Sequence, residues 1–532
     1  MTATLSDGPE TITPTGAPAG LSLQRTAVLA RAVVAGPQAE TIATTTPLTG
    51  ELVGVLPLST ARDVGVAFAT ARAAQRAWAE RPVRQRAAIV LAFHDLLLSR
   101  RDEALDVVQW ETGKARKHAV EELLDVAVNA RYYARTTGRL LAPTRRRGAL
   151  PLLTQTTQLH HPKGVVGIIA PWNYPLTLAI SDAIPALMAG NGIVLKPDSQ
   201  TAFIALWARD VLLQAGLPEE LFQVVVGPGS ILGPAMIEQA DYVCFTGSTR
   251  TGRDVARRCG ERLIGCSLEL GGKNAMIVCA DANIDRAVEG AVRACFSNAG
   301  QLCISIERLY VADEVYDAFV PAFARAVDAM RLSARLDYSA DMGSLASQDQ
   351  LDAVRRHVED AVERGARVLA GGRARPDVGP FFHEPTVLEG VTTDMAVCDE
   401  ETFGPVVSVY RFTDEADAIA RANATAYGLN ASVWARDTRR GRAIAARLRA
   451  GTVNVNEGYG PAWGSVDAPM GGMGDSGLGR RHGAEGLLKY TEAQTVAVQR
   501  LQGFGAPRHL SDEQWARLLT FSVGALKKVG WR

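Results

Sequence analysis

Short apolar runs alternating with helix-patterned stretches constrain this chain more than any other feature. Residues 164–170, 192–195, 222–226, 242–245 and 275–278 read as strands, and their unbroken apolar character implies burial on both faces. Between them, residues 181–189, 202–215 and 251–259 carry helical spacing. Such alternation predicts an α/β fold: a doubly wound, Rossmann-like sheet with its ligand at the carboxyl ends of the strands. Residues 283–456 repeat the texture, with strands at 308–311, 406–412, 432–434 and 453–455, so a second doubly wound α/β lobe is expected. A cleft between two such lobes is the expected place for a small molecule. Ahead of both, residues 60–138 are patterned for helices, most clearly within 64–78 and 87–97.

A length of 532 residues exceeds what a single core supports, in keeping with two lobes. Residues 164–190 hold one charge, Asp182, and are long enough to suggest a membrane span. Pro171, Pro175 and Pro185 argue instead for strand, turn and buried helix, because a lone helix in lipid cannot leave backbone groups unpaired. The 57 basic and 57 acidic side chains cancel, and Arg145, Arg146 and Arg147 form only a short run that reads as a solvated loop; nucleic acid is not an expected partner. Seven cysteines, odd in number and without paired spacing, suggest neither a disulfide framework nor a metal site. With no apolar leader after a charged start, a reducing cytoplasm is the expected setting. Residues 1–24 read as a disordered tail. At the other end, Ser511 and Gln514 form a capping box ahead of a stripe of Trp515, Leu518, Leu519, Val523 and Leu526, a helix expected to dock on its own chain or a sister subunit and not on a membrane.

Two glycine-rich turns follow strands: Gly227 to Gly233, in which Pro228 removes a donor, and Phe245 to Gly252, which offers hydroxyls as well as amides. The second is the preferred anion turn, although a plain strand-to-helix turn explains either. Cys303 follows a glycine-containing segment between helix and strand, a setting that can expose a thiol and favour its thiolate, yet most cysteines are buried hydrophobes. Glu269, flanked by leucines and followed by Gly271 and Gly272, reads as a semi-buried carboxylate with a raised pKa suited to base catalysis, or as a strand-end charge in water.

Pro171-Trp172-Asn173-Tyr174-Pro175, Lys196-Pro197, Phe245-Thr246-Gly247-Ser248, Glu269 through Asn274, Gly300 through Cys303 and Glu401 through Pro405 resemble, in order and spacing, the motifs of the aldehyde dehydrogenase superfamily over about residues 47–496. The resemblance implies a cofactor domain (25–138 and 161–271), a catalytic domain (272–483), and a β-arm (139–160 and 484–502) that builds homodimers or homotetramers, with 503–532 as a helical extension. It further implies Cys303 as nucleophile, Glu269 as base and Asn173 as oxyanion donor. Attack on an aldehyde gives a thiohemiacetal, loss of hydride to a nicotinamide gives a thioester, and water activated by Glu269 gives the acid. Family members that transfer the acyl group to coenzyme A lack that base, so hydrolysis is implied.

For the cofactor, the resemblance implies contacts from Pro171, Trp172, Asn173, Lys196, Pro197, Asp198, Ser199, Gly247, Ser248, Leu270, Glu401 and Phe403. Family members selective for NAD carry a glutamate where this chain has Ser199; a neutral side chain there leaves Lys196 free for a 2′-phosphate, so NADP is expected, with NAD possible. Lys196 through Thr201 and Asp475 through Gly483 are similar to the NADP-dependent succinate-semialdehyde dehydrogenases of actinobacteria. Other succinate-semialdehyde enzymes carry two arginines for the distal carboxylate where this chain has Ser181 and Ser297. Arg308, Arg480 or backbone amides are the candidate substitutes; Tyr174, Tyr459 and Trp463 suit an aliphatic or aromatic aldehyde equally. Succinate semialdehyde is the leading expectation, a broad aldehyde dehydrogenase the alternative, and a catalytically silent family member the remote one.

Overall fold

The computed structural model describes residues 16–18, 21–148, 154–500, 503, 505–528 and 530, so most of the expected tail lies outside the described residues. Leu21 is fully buried and Ser22 caps the helix Leu23–Ala30, so packed structure begins before residue 24. Four helices follow, Ala61–Glu80, Val83–Ser99, Arg101–Thr112 and Arg116–Leu140. The first opens with a capping box between Thr60 and Asp63 and buries Val64, Phe68, Ala71 and Trp78, the three-and-four spacing visible in the sequence.

The first large sheet has six strands in the order Gly477–Leu478, Gly265–Glu269, Tyr242–Thr246, Val165–Ile169, Gly192–Lys196, Phe222–Val224. Val165–Ile169 pairs in parallel with Gly192–Lys196 on one side and Tyr242–Thr246 on the other. Strand order therefore reverses beside it, and in such sheets the crevice at the reversal receives the ligand. The second sheet has seven strands, with Asn274–Val278 between Ile306–Ala312 and Asn430–Trp434, both parallel to it. Each sheet is apolar because helices cover both faces; Asn274–Val278 and Gly192–Lys196 are buried throughout. The chain passes from one sheet to the other through Leu270, Gly271, Gly272 and Lys273, so the carboxyl end of Gly265–Glu269 meets the amino end of Asn274–Val278.

Three local readings change. The helix expected over 181–189 runs Pro175–Ala189, with Pro175 in its first turn, where no N–H is missed, and Pro185 inside, where complete burial of the helix outweighs one lost bond. Arg145, Arg146 and Arg147 lie in the strand Thr144–Arg147, not in a loop, because Thr154–Pro162 supplies its backbone partners while the arginine side chains stay exposed. Thr154–Pro162 also pairs along its whole length with Thr491–Gln499, making a separate three-stranded sheet. The C-terminal capping box forms, Ser511 N donating to Gln514 Oε1 at 3.0 Å and Gln514 N to Ser511 Oγ at 3.2 Å. The helix Asp512–Lys528 fully buries no residue; Trp515, Leu519 and Leu526 of its stripe are half-buried, whereas Leu518, Phe521 and Val523 are 47%, 74% and 68% exposed, so the stripe is covered only in part. Among the described residues no helix is long and apolar enough to cross a membrane.

Candidate active site

Cys303 sits just before Ile306–Ala312, after a turn in which Asn298, Ala299 and Gly300 have φ of 52°, 54° and 71°. Consecutive left-handed residues are strained, and strain of this kind survives only where surrounding bonds fix it. Here they do. Asn298 Nδ2 donates to the carbonyls of Asn173 and Gln301, both at 3.1 Å, and Asn298 N donates to His118 Nδ1 at 3.1 Å. Gln301 Nε2 donates back to Asn298 O at 3.0 Å. Gly300 is required, because a Cβ there would lie 2.0 Å from Gly404 O. Asn274 Nδ2 holds the Cys303 carbonyl at 2.8 Å, and a Cβ on Gly272 would come within 2.7 Å of that carbonyl, so the crossing between sheets needs glycine to approach the nucleophile turn.

Asn173 is buried in the turn after Val165–Ile169. Its Nδ2 donates to Gln301 O at 3.1 Å, which leaves one of two amide hydrogens for a further acceptor. Its carbonyl accepts from Lys114 Nζ at 2.7 Å. Lys114 is in turn paired with Glu122, a fully buried ion pair, and Glu122 Oε2 accepts from Leu176 N and Thr177 N at the start of Pro175–Ala189. Lys114 and Glu122 thus fix the Asn173 turn, although they stand far from it in sequence and carry no motif that singles them out.

Glu269 ends its strand, and its Oε1 is buried without a hydrogen-bond partner. Burial pushes its carboxyl up to about 7, against partial relief from Arg481 and Lys489. Cys303 departs from expectation. The side chain is only partly buried, but desolvation, with Glu269 and then Glu401 nearby, pushes the thiol up to about 12; Arg481 offsets only part of this. The site favours the thiol over the thiolate, chiefly because burial withdraws the sulfur from water and only then because acidic groups outweigh one guanidinium.

Cys303 and Asn173 open into a cavity of about 510 Å³ including its mouth, whose apolar lining includes Leu178, Ile304 and Met470. Tyr174, Tyr459 and Trp463 line it as the sequence suggested. Ser297 Oγ lies 2.8 Å from Tyr459 OH, and Ser181 Oγ donates to Asp125 Oδ2 at 2.5 Å. Glu121, Asp125, Arg481 and His482 also line the cavity, and sequence reasoning missed all four. The expected substitutes for the absent arginines are elsewhere: Arg308 is bound to the carbonyls of Lys273 and Ala422, and Arg480 to those of Gly472 and Gly479.

At the carboxyl ends of the first sheet, Lys196 is buried, and its Nζ has one hydrogen bond among the described residues, to Pro197 O at 3.2 Å. Its side chain lies 4.0 Å from where a Cβ on Gly229 would stand, at the start of the helix Gly229–Gln239. The first glycine turn, ranked second in the sequence, therefore borders the same crevice. Gly247 N donates to Glu269 O at 3.1 Å, and Ser248 caps Thr249–Glu261. Leu270 packs so closely on that helix that a Cβ on Gly252 would lie 2.5 Å from it. Asp198 turns its carboxylate to Gln200 N at 3.0 Å, away from the role of a free anion beside Ser199. Glu401 Oε1 accepts from Gly272 N at 2.7 Å, and Phe403, at φ 50°, meets Trp172 edge to face at 5.6 Å, with Pro171 one residue earlier in the same turn. Glu307 shapes that loop by accepting from Thr402 N and Phe403 N. A cation with spare donors, two helix starts and a carboxylate over the crossing fit a phosphate-bearing dinucleotide.

Residues 34–496 match the model of the aldehyde dehydrogenase family. The chain belongs to that family. A Mycolicibacterium smegmatis protein named "putative succinate-semialdehyde dehydrogenase (NADP(+))" is 57% identical over 484 residues, 91% of this chain and 94% of that protein. Succinate-semialdehyde dehydrogenase (NADP(+)) GabD of Escherichia coli K12 is 36% identical over 86% of this chain and 94% of its own. Among solved structures, an aldehyde dehydrogenase from Bacillus cereus in an NAD+ complex matches with a TM-score of 0.82 at 34% identity, covering 86% of this chain and 93% of that one. As an aldehyde dehydrogenase, the chain carries the α/β fold the sequence predicted.

Proposed function

We propose that this protein oxidises an aldehyde to a carboxylic acid with NADP, through a thioester on Cys303, and that succinate semialdehyde is its substrate. The observation that carries the chemistry is a cavity lined by a thiol and by Asn173 with its spare amide hydrogen, beside which a buried carboxylate with an unpaired oxygen, Glu269, stands near enough to act on the charge of Cys303. Cys303 Sγ adds to the carbonyl carbon as its proton passes to a water molecule, and Asn173 Nδ2 donates to the oxygen that becomes charged, a contact worth about 3 kcal/mol when preorganised. The bound dinucleotide supplies the two-electron oxidation that turns this adduct into a thioester. Glu269, with its carboxyl near 7, accepts a proton from the water that attacks the thioester. Lys196, Ser199, Gly247 and Ser248 would hold the phosphate end of the dinucleotide, and Pro171, Trp172, Pro197, Asp198, Leu270, Glu401 and Phe403 would frame the rest. NADP is favoured because Ser199 is neutral, although the Asp198 charge still acts on Lys196; the names of the relatives support both cofactor and substrate.

The three-stranded sheet of Thr144–Arg147, Thr154–Pro162 and Thr491–Gln499 is the proposed arm for a homodimer or homotetramer, and its long exposed strand Thr491–Gln499 supports that reading. The proposed location is the cytoplasm.

A second reading, a general aldehyde dehydrogenase, is favoured by the aromatic lining and by serine at 181 and 297. Steady-state kcat/KM for succinate semialdehyde, butanal and benzaldehyde, each with NADP and with NAD, separates the two. Preference for succinate semialdehyde with NADP is expected; preference for the uncharged aldehydes supports the second reading, and no oxidation of any of them overturns both.

A further inference from the structure

Arg481 and its neighbour His482 each bring a buried nitrogen without a hydrogen-bond partner to the cavity, and Arg481 is the one that carries a fixed charge. It follows the strand Gly477–Leu478, lines the cavity that holds Cys303, and its side chain is 10% exposed. Nη2 is buried without a hydrogen-bond partner; its approach to Asp182 Oδ2 at 3.3 Å is an ion pair lacking hydrogen-bond alignment. Lys489 Nζ at 3.3 Å and Tyr490 OH at 3.2 Å both engage the other oxygen, Asp182 Oδ1, so Oδ2 faces Arg481 as a counter-charge. A guanidinium has five N–H donors, and burying them unpaired is costly unless an acceptor arrives.

The carboxylates of the same cavity are in the opposite condition. Glu121 accepts from Tyr459 OH at 2.9 Å and from Tyr174 OH at 3.4 Å. Asp125 accepts from Ser181 at 2.5 Å and from Asn129 Nδ2 at 3.0 Å. Glu121 and Asp125 are already served and the Arg481 guanidinium is not, so Arg481 is left open to a ligand that brings acceptor oxygens.

We propose that Arg481 is the specificity-determining residue of this cavity, binding the distal carboxylate of an ω-carboxy aldehyde in place of the arginines absent at Ser181 and Ser297. The inference rests on the proposed aldehyde oxidation and deepens it. A planar guanidinium accepts a carboxylate through paired N–H bonds, and lysine cannot reproduce that geometry.

The test is the ratio of kcat/KM for succinate semialdehyde to that for butanal, with NADP, in the wild type, Arg481→Gln and Arg481→Lys. The ratio is expected to fall about 10- to 100-fold in Arg481→Gln, the range for a hydrogen bond to a charged partner, and by less in Arg481→Lys. An unmoved ratio, with both aldehydes slowed alike, makes Arg481 a structural counter-charge to Asp182 and overturns the inference while leaving aldehyde oxidation intact. Failure of the wild type to oxidise either aldehyde overturns the underlying reading instead. A second measurement needs no variant: succinate is expected to slow iodoacetamide alkylation of Cys303 in the wild-type protein, and alkylation indifferent to succinate overturns the inference even if both variants fail to fold.

Discussion

On one side of the cavity, around Asn298 to Cys303, side-chain donors are committed to backbone carbonyls and three residues are held in left-handed conformations. On the other, Arg481 Nη2 and, within electrostatic reach of Cys303, Glu269 Oε1 are buried without hydrogen bonds. The first wall spends its side-chain donors within the fold and leaves one acceptor, Asn298 Oδ1, open; the second leaves a base and a cation open. A reacting sulfur benefits from fixed geometry, whereas a base and an anion receptor need valences left open for water and substrate. The polar groups that bonding leaves over are thus as informative as those it satisfies.

Breaking the fixed wall at its reacting atom gives the largest effect. Cys303→Ala is expected to remove aldehyde-dependent NADPH formation by at least ~10⁴-fold, the scale seen when a covalent nucleophile is lost. Absorbance at saturating aldehyde checks this, and full turnover in the variant overturns the assignment. On the open wall, Glu269→Gln is expected to lower steady turnover by roughly 10²- to 10⁴-fold while sparing acylation, visible as a larger NADPH burst relative to the steady rate. Its pH dependence follows from the raised carboxyl. The base works only when ionised, so wild-type kcat falls as pH drops through about 7, and Glu269→Gln should lose that inflection. Asn173→Ala joins the two walls, because it removes the oxyanion donor and a bond to Gln301 O. About 10²- to 10³-fold in kcat is expected, and an effect confined to KM would give Asn173 a binding role instead. The smallest change is at the cofactor end: Ser199→Glu should shift the NADP-to-NAD ratio of kcat/KM by about tenfold toward NAD, through repulsion of a 2′-phosphate beside Lys196.

Much of the architecture was legible because buried parallel strands write themselves as continuous apolar runs, as at Val165–Ile169 and Asn274–Val278. Asn173, Glu269 and Cys303 were legible through ordered motifs. Arg481, Glu121 and Asp125 were not, since they meet the cavity from a helix and a loop hundreds of residues apart and no local spacing marks them. The thiol of Cys303 departs from the sequence reading because sequence shows the glycines near it but neither the burial of the sulfur nor, after that, the Glu269 and Glu401 side chains that folding brings close. The C-terminal stripe was read correctly as a helix, yet amphipathic spacing does not say whether a partner surface exists within the same chain.

The most direct test of the central claim is to mix Glu269→Gln with aldehyde and NADP, quench within one turnover, and map the adduct by peptide mass spectrometry. An acyl group on the peptide carrying Cys303, and on no other cysteine, is the predicted result. An unmodified Cys303 under conditions that form NADPH, or an acyl group on a different residue, would contradict the account.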